Sequence, residues 1–339
     1  MKYFKTVLLG LCLGTALFSQ AQVPTKPLAW EDVIGWKRIT AQTISDNGKW
    51  VACQMEPWRG DASVTLYNDL GAEKASFASA EGASFSASSN FMLVTLKPSV
   101  AVVDSLKLKK TKEDKMPMNK LVIYHLVSDK KEVIDSVRTF KLSESADWIA
   151  YQRGSKADSA LYVRSLDGTK MDSLPAVTDF GFAKKSNVLY FVKSESDKND
   201  KEALVSLHTL VPEKGKSLLF EGKGVLKKMA FDENGSKLAF LYCAHKDSTF
   251  KGYSLYVSEK MEKARLIADK KNNAFPAGWV LSENESLQFS RNSSRLFFGT
   301  SPEPKQKDTT VLAENRPNVH IWNWDEDTQY TQQDYDRAK

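Results

Sequence analysis

From residue 41 onward the chain alternates short apolar runs with short polar turns, and one pattern recurs: an apolar residue, a polar turn, then an apolar strand. Six copies are legible. They are Ile44-Ser45-Asp46-Asn47-Gly48-Lys49-Trp50-Val51-Ala52, Phe85-Ser86-Ala87-Ser88-Ser89-Asn90-Phe91-Met92-Leu93, Leu142–Ala150, Phe182–Tyr190, Phe231–Ala239 and Phe289–Phe297. The Ser or Asp that usually stands second can hydrogen-bond the turn backbone. Asn-Gly in the first and fifth copies supplies the left-handed conformations of a tight turn. Further strands are predicted at Val64–Tyr67, Leu121–Leu126, Leu161–Leu166, Ala203–Leu207, Ser254–Val257 and Val319–Trp324, where β-branched and aromatic residues suit a pleated, partly buried surface. Long helical periodicity is absent after residue 40.

The first positions of successive copies lie 41, 57, 40, 49 and 58 residues apart, the spacing of one four-stranded propeller blade with insertions in the longer intervals. One blade cannot cover both of its faces, so blades must stack on one another. The pattern therefore predicts an all-β fold, a β-propeller of four-stranded blades over residues 41–325 with six copies visible. A lead-in segment with a short helix at 22–40 precedes it, and 326–339 is the start of a further blade or a truncated end. Trp50, Phe91 and Trp148 are assigned to packing between blades rather than to ligand stacking, because aromatics dominate core energetics.

The first 21 residues stand apart. Lys2 and Lys5 precede the apolar run Val7–Phe18, and Ser19-Gln20-Ala21 places small residues before a cut ahead of Gln22, the pattern of a cleaved secretory signal peptide. A run of 12 residues is short of the roughly 20 needed to span a bilayer, so no stable membrane span is expected. Export to the periplasm or beyond would permit a disulfide between Cys53 and Cys243, but each follows a similar strand motif in distant repeats, and two unpaired core thiols are the preferred reading.

Charge narrows the partners. Against 42 acidic residues stand 48 Lys and Arg, a net +6 that falls to +4 without Lys2 and Lys5, and both signs are scattered. Such a surface lacks the concentrated basic face of a nucleic-acid binder. One stretch departs from the mixture: residues 97–120 hold seven lysines against Asp104, Glu113 and Asp114. Charge runs are usually solvated, so a loop or short helix rising from the blade is preferred there; the alternative is contact with an anionic surface, a membrane or an acidic partner.

No catalytic, cofactor-binding or metal-binding residue is assigned. The nearest string to a Gly-x-Ser-x-Gly elbow is Gly252-Tyr253-Ser254-Leu255-Tyr256, which lacks the second glycine and lies in a strand pattern. His125, His208, His245 and His320 fall in or beside predicted strands without Ser and Asp partners at a recognisable spacing, and no Cys or His pair has zinc-site spacing.

The turn-strand motif resembles the repeat of the TolB-like and prolyl oligopeptidase propellers. The lead-in Leu28-Ala29-Trp30-Glu31-Asp32-Val33-Ile34-Gly35-Trp36-Lys37-Arg38-Ile39 resembles the short helix that opens the propeller in large exported members of the prolyl oligopeptidase family. Leu96-Lys97-Pro98, the Lys-rich excursion, Met116-Pro117 and Lys120–Tyr124 look like the insertion those members carry between two strands. The resemblance implies the substrate-gating propeller of a secreted or periplasmic serine peptidase. Its peptide substrate would be cleaved by a C-terminal α/β-hydrolase domain that this chain lacks. Because the family closes with seven or eight blades, it also implies a chain truncated from a longer enzyme. The family's aminodipeptidase branch uses paired propeller glutamates, and Asp147-Trp148-Ile149-Ala150-Tyr151-Gln152, which resembles that neighbourhood, has no adjacent Glu-Glu. The rival reading is a stand-alone TolB-like periplasmic propeller that binds a protein or a glycan. A glycosidase propeller ranks below both.

Overall fold

The computed structural model describes residues 27–154, 160–195, 203–244, 252–271, 274–303, 310 and 323–337. The lead-in forms a short helix, α1 (Trp30–Ile34), opened by the Asp32 carboxylate accepting from Ala29 N at 3.0 Å. Residues 1–21, read as a signal peptide, lie outside the described residues.

The repeated motif is a hairpin turn held by one recurring bond. Between β1 (Lys37–Ile44) and β2 (Trp50–Pro57), Ser45 N donates to Trp50 O at 3.0 Å, and Trp50 N donates back to Ser45 Oγ at 3.1 Å. The backbone bond recurs in every copy: Ser86 to Phe91, Ser143 to Trp148, Ala183 to Val188, Asp232 to Lys237 and Ser290 to Arg295, all at 2.8–3.0 Å. The side-chain bond back recurs at Ser86, Asp232 and Ser290. Ala183 has no oxygen to offer, yet its turn keeps the backbone bond. The fifth place in the motif is left-handed in four copies: Gly48 (φ 70°), Ser89 (57°), Gly235 (71°) and Ser293 (56°).

Each of the first five motifs opens a four-stranded antiparallel meander. The first sheet adds β3 (Ser63–Asn68) and β4 (Glu73–Ala78). The second comprises β5 (Ala80–Phe85), β6 (Phe91–Leu96), β7 (Lys120–His125) and β8 (Lys131–Ile134). The third comprises β9 (Val137–Leu142), β10 (Trp148–Arg153), β11 (Leu161–Ser165) and β12 (Met171–Leu174). The fourth comprises β13 (Val177–Phe182), β14 (Leu189–Glu195), β15 (Leu204–Val211) and β16 (Gly215–Lys223). The fifth comprises β17 (Val225–Phe231), β18 (Lys237–Cys243), β19 (Ser254–Glu259) and β20 (Arg265–Ala268). In the second sheet the Lys-rich stretch leaves between β6 and β7, carrying α2 (Val100–Leu108) and a 3-10 turn at Glu113–Lys115.

The module of the sixth copy lies only partly within the described residues. Among them, β21 (Trp279–Leu281) pairs with β24 (Thr300–Pro302), and β22 (Gln288–Phe289) with β23 (Leu296–Phe297), forming one interrupted two-stranded ladder. Of the strand expected at Val319–Trp324, residues 319–322 lie outside the described residues, and Asn323 and Trp324 are not in a strand. Within 326–339 the chain forms a helix, α3 (Tyr330–Arg337).

The chain divides into two compact units, the first holding residues 1–193, 209–216 and 233–235 and the second the remainder. Within each, sheets are joined by apolar layers that follow from the two-residue strand period. Met92, Val94, Val122 and Tyr124 pack with Ala52, Val64 and Leu66 of the first sheet. Their neighbours Phe91, Leu93, Leu121 and Ile123 face the other way, onto Val137, Ile149 and Tyr151 of the third. Ala150, Leu161 and Val163 then meet Val177, Phe180 and Phe191 of the fourth. In the second unit Ala239, Leu241 and Leu255 meet Leu281 and Leu287. Five serial four-stranded meanders, the second and third covered on both faces by their neighbours, make the fold an all-β propeller of about five to six blades.

Candidate functional site

In each of the first five sheets the first strand stands at the edge and carries a bulge against the second. The register jumps between Ile39 and Ala41, Glu81 and Ala83, Val177 and Asp179, and Lys227 and Ala230; in the third sheet Arg138 is the extra residue, since Val137 faces Arg153 and Thr139 faces Gln152. A bulge re-aims side chains and leaves polar backbone groups to be satisfied from outside the ladder. Here a glutamine at the same place in the second strand does so for the next sheet. Gln54 Oε1 accepts from Gly82 N at 2.8 Å, and Gln152 Nε2 donates to Val177 O at 2.7 Å. Gln152 Oε1 also accepts from Arg138 Nη2 at 2.7 Å. Gln152, which ends the string resembling the paired-glutamate neighbourhood, is thus a buried clip between sheets.

The bulges of β9 and β13 bring together the most chemically distinctive group in the first unit. Thr139, Lys141, Thr178 and Asp179 are exposed, and Arg138 is half-buried beside them. Asp179 accepts from Phe180 N at 2.8 Å and from the Tyr190 hydroxyl. Gly181, across the ladder from Tyr190, makes the second contact possible: a Cβ there would lie 2.9 Å from Tyr190 Cε1, so only glycine lets the ring lie over β13 and reach the carboxylate. The surrounding protein pushes the Asp179 carboxyl above its ordinary range, although its side chain meets water; the Phe180 amide, Lys141 and Tyr190 oppose that shift without cancelling it. Burial, reinforced by the Asp179 charge, raises the Tyr190 hydroxyl. Cationic and anionic groups therefore lie side by side on two sheet edges, an arrangement suited to a zwitterionic, hydrogen-bonding ligand such as an extended peptide.

The residues weighed from sequence lie elsewhere. Of the Gly252–Tyr256 string, Tyr253 is buried, with its hydroxyl donating to Glu283 at 2.7 Å, and Ser254 opens β19. His125 Nδ1 accepts from Val127 N and Ser128 N while its ring packs edge-on against Phe91. His208 Nε2 lies 3.0 Å from Ser206 Oγ, and His245 and His320 fall outside the described residues. Among the described residues no group of three His, Cys, Asp or Glu side chains could hold a metal. Both thiols are free, Cys243 in the core of the second unit and Cys53 half-buried. Trp148 packs beside the layer between the third and fourth sheets, Phe91 is in the core and Trp50 lies against it. Asp179 escaped sequence reasoning because the fourth motif begins three residues later. The signal was Gly181 in a strand with an aromatic nine residues on.

No family model matches the chain, and no curated protein does. Among solved structures it is similar to the β-propeller domain of the trilobed protease from Pyrococcus furiosus, with TM-score 0.43 and 10% identity over 79% of this chain and 83% of that one. It is also similar to Pyrococcus horikoshii acylaminoacyl peptidase, with TM-score 0.40 and 10% identity over 69% of this chain and 40% of that one. TolB from Acinetobacter baumannii matches with TM-score 0.34 and 9% identity over 74% of this chain and 58% of that one. At these values the likenesses carry no argument of their own, and the fold stands on the hydrogen-bonded sheets. No helix among the described residues is long and apolar enough to cross a membrane.

Proposed function

We propose that this chain is the substrate-gating propeller of an exported serine peptidase of the prolyl oligopeptidase type. In this reading the nucleophile, base and orienting acid lie in a hydrolase domain outside residues 1–339. The observation that carries the reading is the placement of two marker segments: α1 directly before the first strand, and the Lys-rich insertion between the second and third strands of the second sheet. The Arg138–Lys141–Asp179 edge would contact the peptide on its way to the nucleophile, positioning it without breaking a bond. Hydrolysis itself needs an activated serine and an oxyanion hole.

The test is the gene beyond codon 339 together with a serine-reactive fluorophosphonate probe. An open frame encoding Gly-x-Ser-x-Gly, and labelling of the full product but not of residues 22–339, is expected. A stop codon at 340 would transfer the assignment to a binding propeller, and labelling of residues 22–339 would overturn the assignment of no nucleophile to this chain.

A further inference from the structure

The Lys-rich insertion is a projection tied at both ends to the second sheet and its neighbours. At its outgoing foot Lys97 N donates to Ser79 O at 2.7 Å, and Lys97 Nζ pairs with Glu81 at 3.2 Å. The Asp61 carboxylate accepts from Val100 N at 2.7 Å and from Ser79 Oγ at 3.0 Å, and Ser99 caps α2 by accepting from Val102 N. At the returning foot Lys120 pairs with Asp135 at 2.8 Å, and Val137 N donates to Asn119 O at 2.8 Å.

Between these feet the chemistry changes. Lys107, Lys109, Lys110, Lys112 and Lys115 are all exposed, and none forms an ion pair among the described residues. No residue of α2 or of the 3-10 turn is buried, and Leu108 is 85% exposed in the middle of the lysines, with Val100 and Val102 also open. Five like charges within nine residues repel one another, and only Glu113 and Asp114 lie among them. The two paired lysines hold the projection in place; the five unpaired ones have no structural work.

We infer that the tip of this insertion, Lys107–Lys115 with Leu108, docks the protein on a membrane surface rich in anionic phospholipid. Charge complementarity calls for an anionic partner, and the residue types favour lipid over protein. Protein interfaces are enriched in aromatics and Arg and depleted in Lys, whereas juxtamembrane basic segments combine several lysines with a few inserted aliphatic side chains. The tip has five lysines, no arginine and no aromatic residue. The inference is independent of peptidase activity.

The experiment is flotation of residues 22–339, without the leader, with vesicles of phosphatidylcholine alone or with about one third phosphatidylglycerol, at low salt and at high salt. Binding to the anionic vesicles only, lost at high salt, is expected. At roughly fivefold per lysine, Lys109→Gln with Lys110→Gln lowers partitioning about 25-fold, and neutralising all five abolishes it. Leu108→Ser should weaken binding several-fold while leaving the salt dependence in place. Equal partitioning onto both vesicle types, absence of flotation, or undiminished binding by the five-fold variant would overturn the inference. Tighter binding to soluble polyglutamate than to the vesicles would also overturn it, by assigning the tip to an acidic protein.

Discussion

At the residue scale, single positions decide whether the first strand of a sheet can bend as it does. Gly224 sits at φ 135° where the chain enters β17, and a Cβ there would lie 2.1 Å from Cys243 O and 2.8 Å from Ala244 Cα. Backbone cannot yield as a flexible side chain would, so Gly224→Ala should lower unfolding stability by about 3 kcal/mol in urea denaturation. Asp179 runs the other way. Its folded pKa lies above the unfolded one, so the protonated carboxyl is the form the fold favours. Its contribution is therefore most favourable below the unfolded value and is lost as pH rises through the folded one, and at neutral pH the ionised group works against folding. Asp179→Asn should raise the urea midpoint at pH 7 and leave it little changed near pH 3. A lower midpoint at pH 7 would show the carboxylate to be a structural asset rather than a site held ready for a ligand.

At the element scale, neighbouring sheets are joined by polar clips as well as by apolar layers. Glu132 on β8 takes both Arg164 guanidinium nitrogens of β11, at 2.5 and 2.8 Å, and the Arg164 side chain is only 9% exposed. That pair holds the Glu132 carboxyl below its ordinary range. Glu132→Gln would leave a nearly buried cation with a weaker partner. The expected loss is about 1–2 kcal/mol, less than for a fully buried pair because Glu132 itself meets water. Double-mutant cycles with Arg164→Met would read the coupling directly. The turns were legible in the sequence because their bonds close within six residues: Ser45, Ser86 and Ser290 do locally what their composition advertises. The bulges were not. An extra residue such as Arg138 or Thr178 exists only relative to the strand opposite, and nothing in the local run marks which residue will be squeezed out of register.

At the scale of the whole molecule, a set of carboxylates ties stability to pH. Asp129 is lowered by the Tyr124 hydroxyl and Lys74, Glu132 by Arg164, Asp135 by Lys120 and Asp167 by the Ser165 hydroxyl. Burial pushes Asp232 up, but the Lys237 amide and the Ser236 and Ser293 hydroxyls outweigh it and hold the group low. Each contributes stability that is present above its unfolded pKa and lost as pH falls through its folded one. Circular dichroism should therefore stay constant from pH 7 to about 4 and then fall. A transition between pH 5 and 7 would contradict this. The sequence alone determined the serial β modules, because an apolar strand of period two after a polar turn has few other ways to be satisfied, and it located the basic projection, because charge is composition. Tertiary structure decided which strands pair in each sheet, that Gln152 is a clip, and that Asp179 and Tyr190 meet with the Lys141 charge nearby. Each of these depends on which strands lie opposite one another, information spread over the pairing of distant residues rather than held in any one segment.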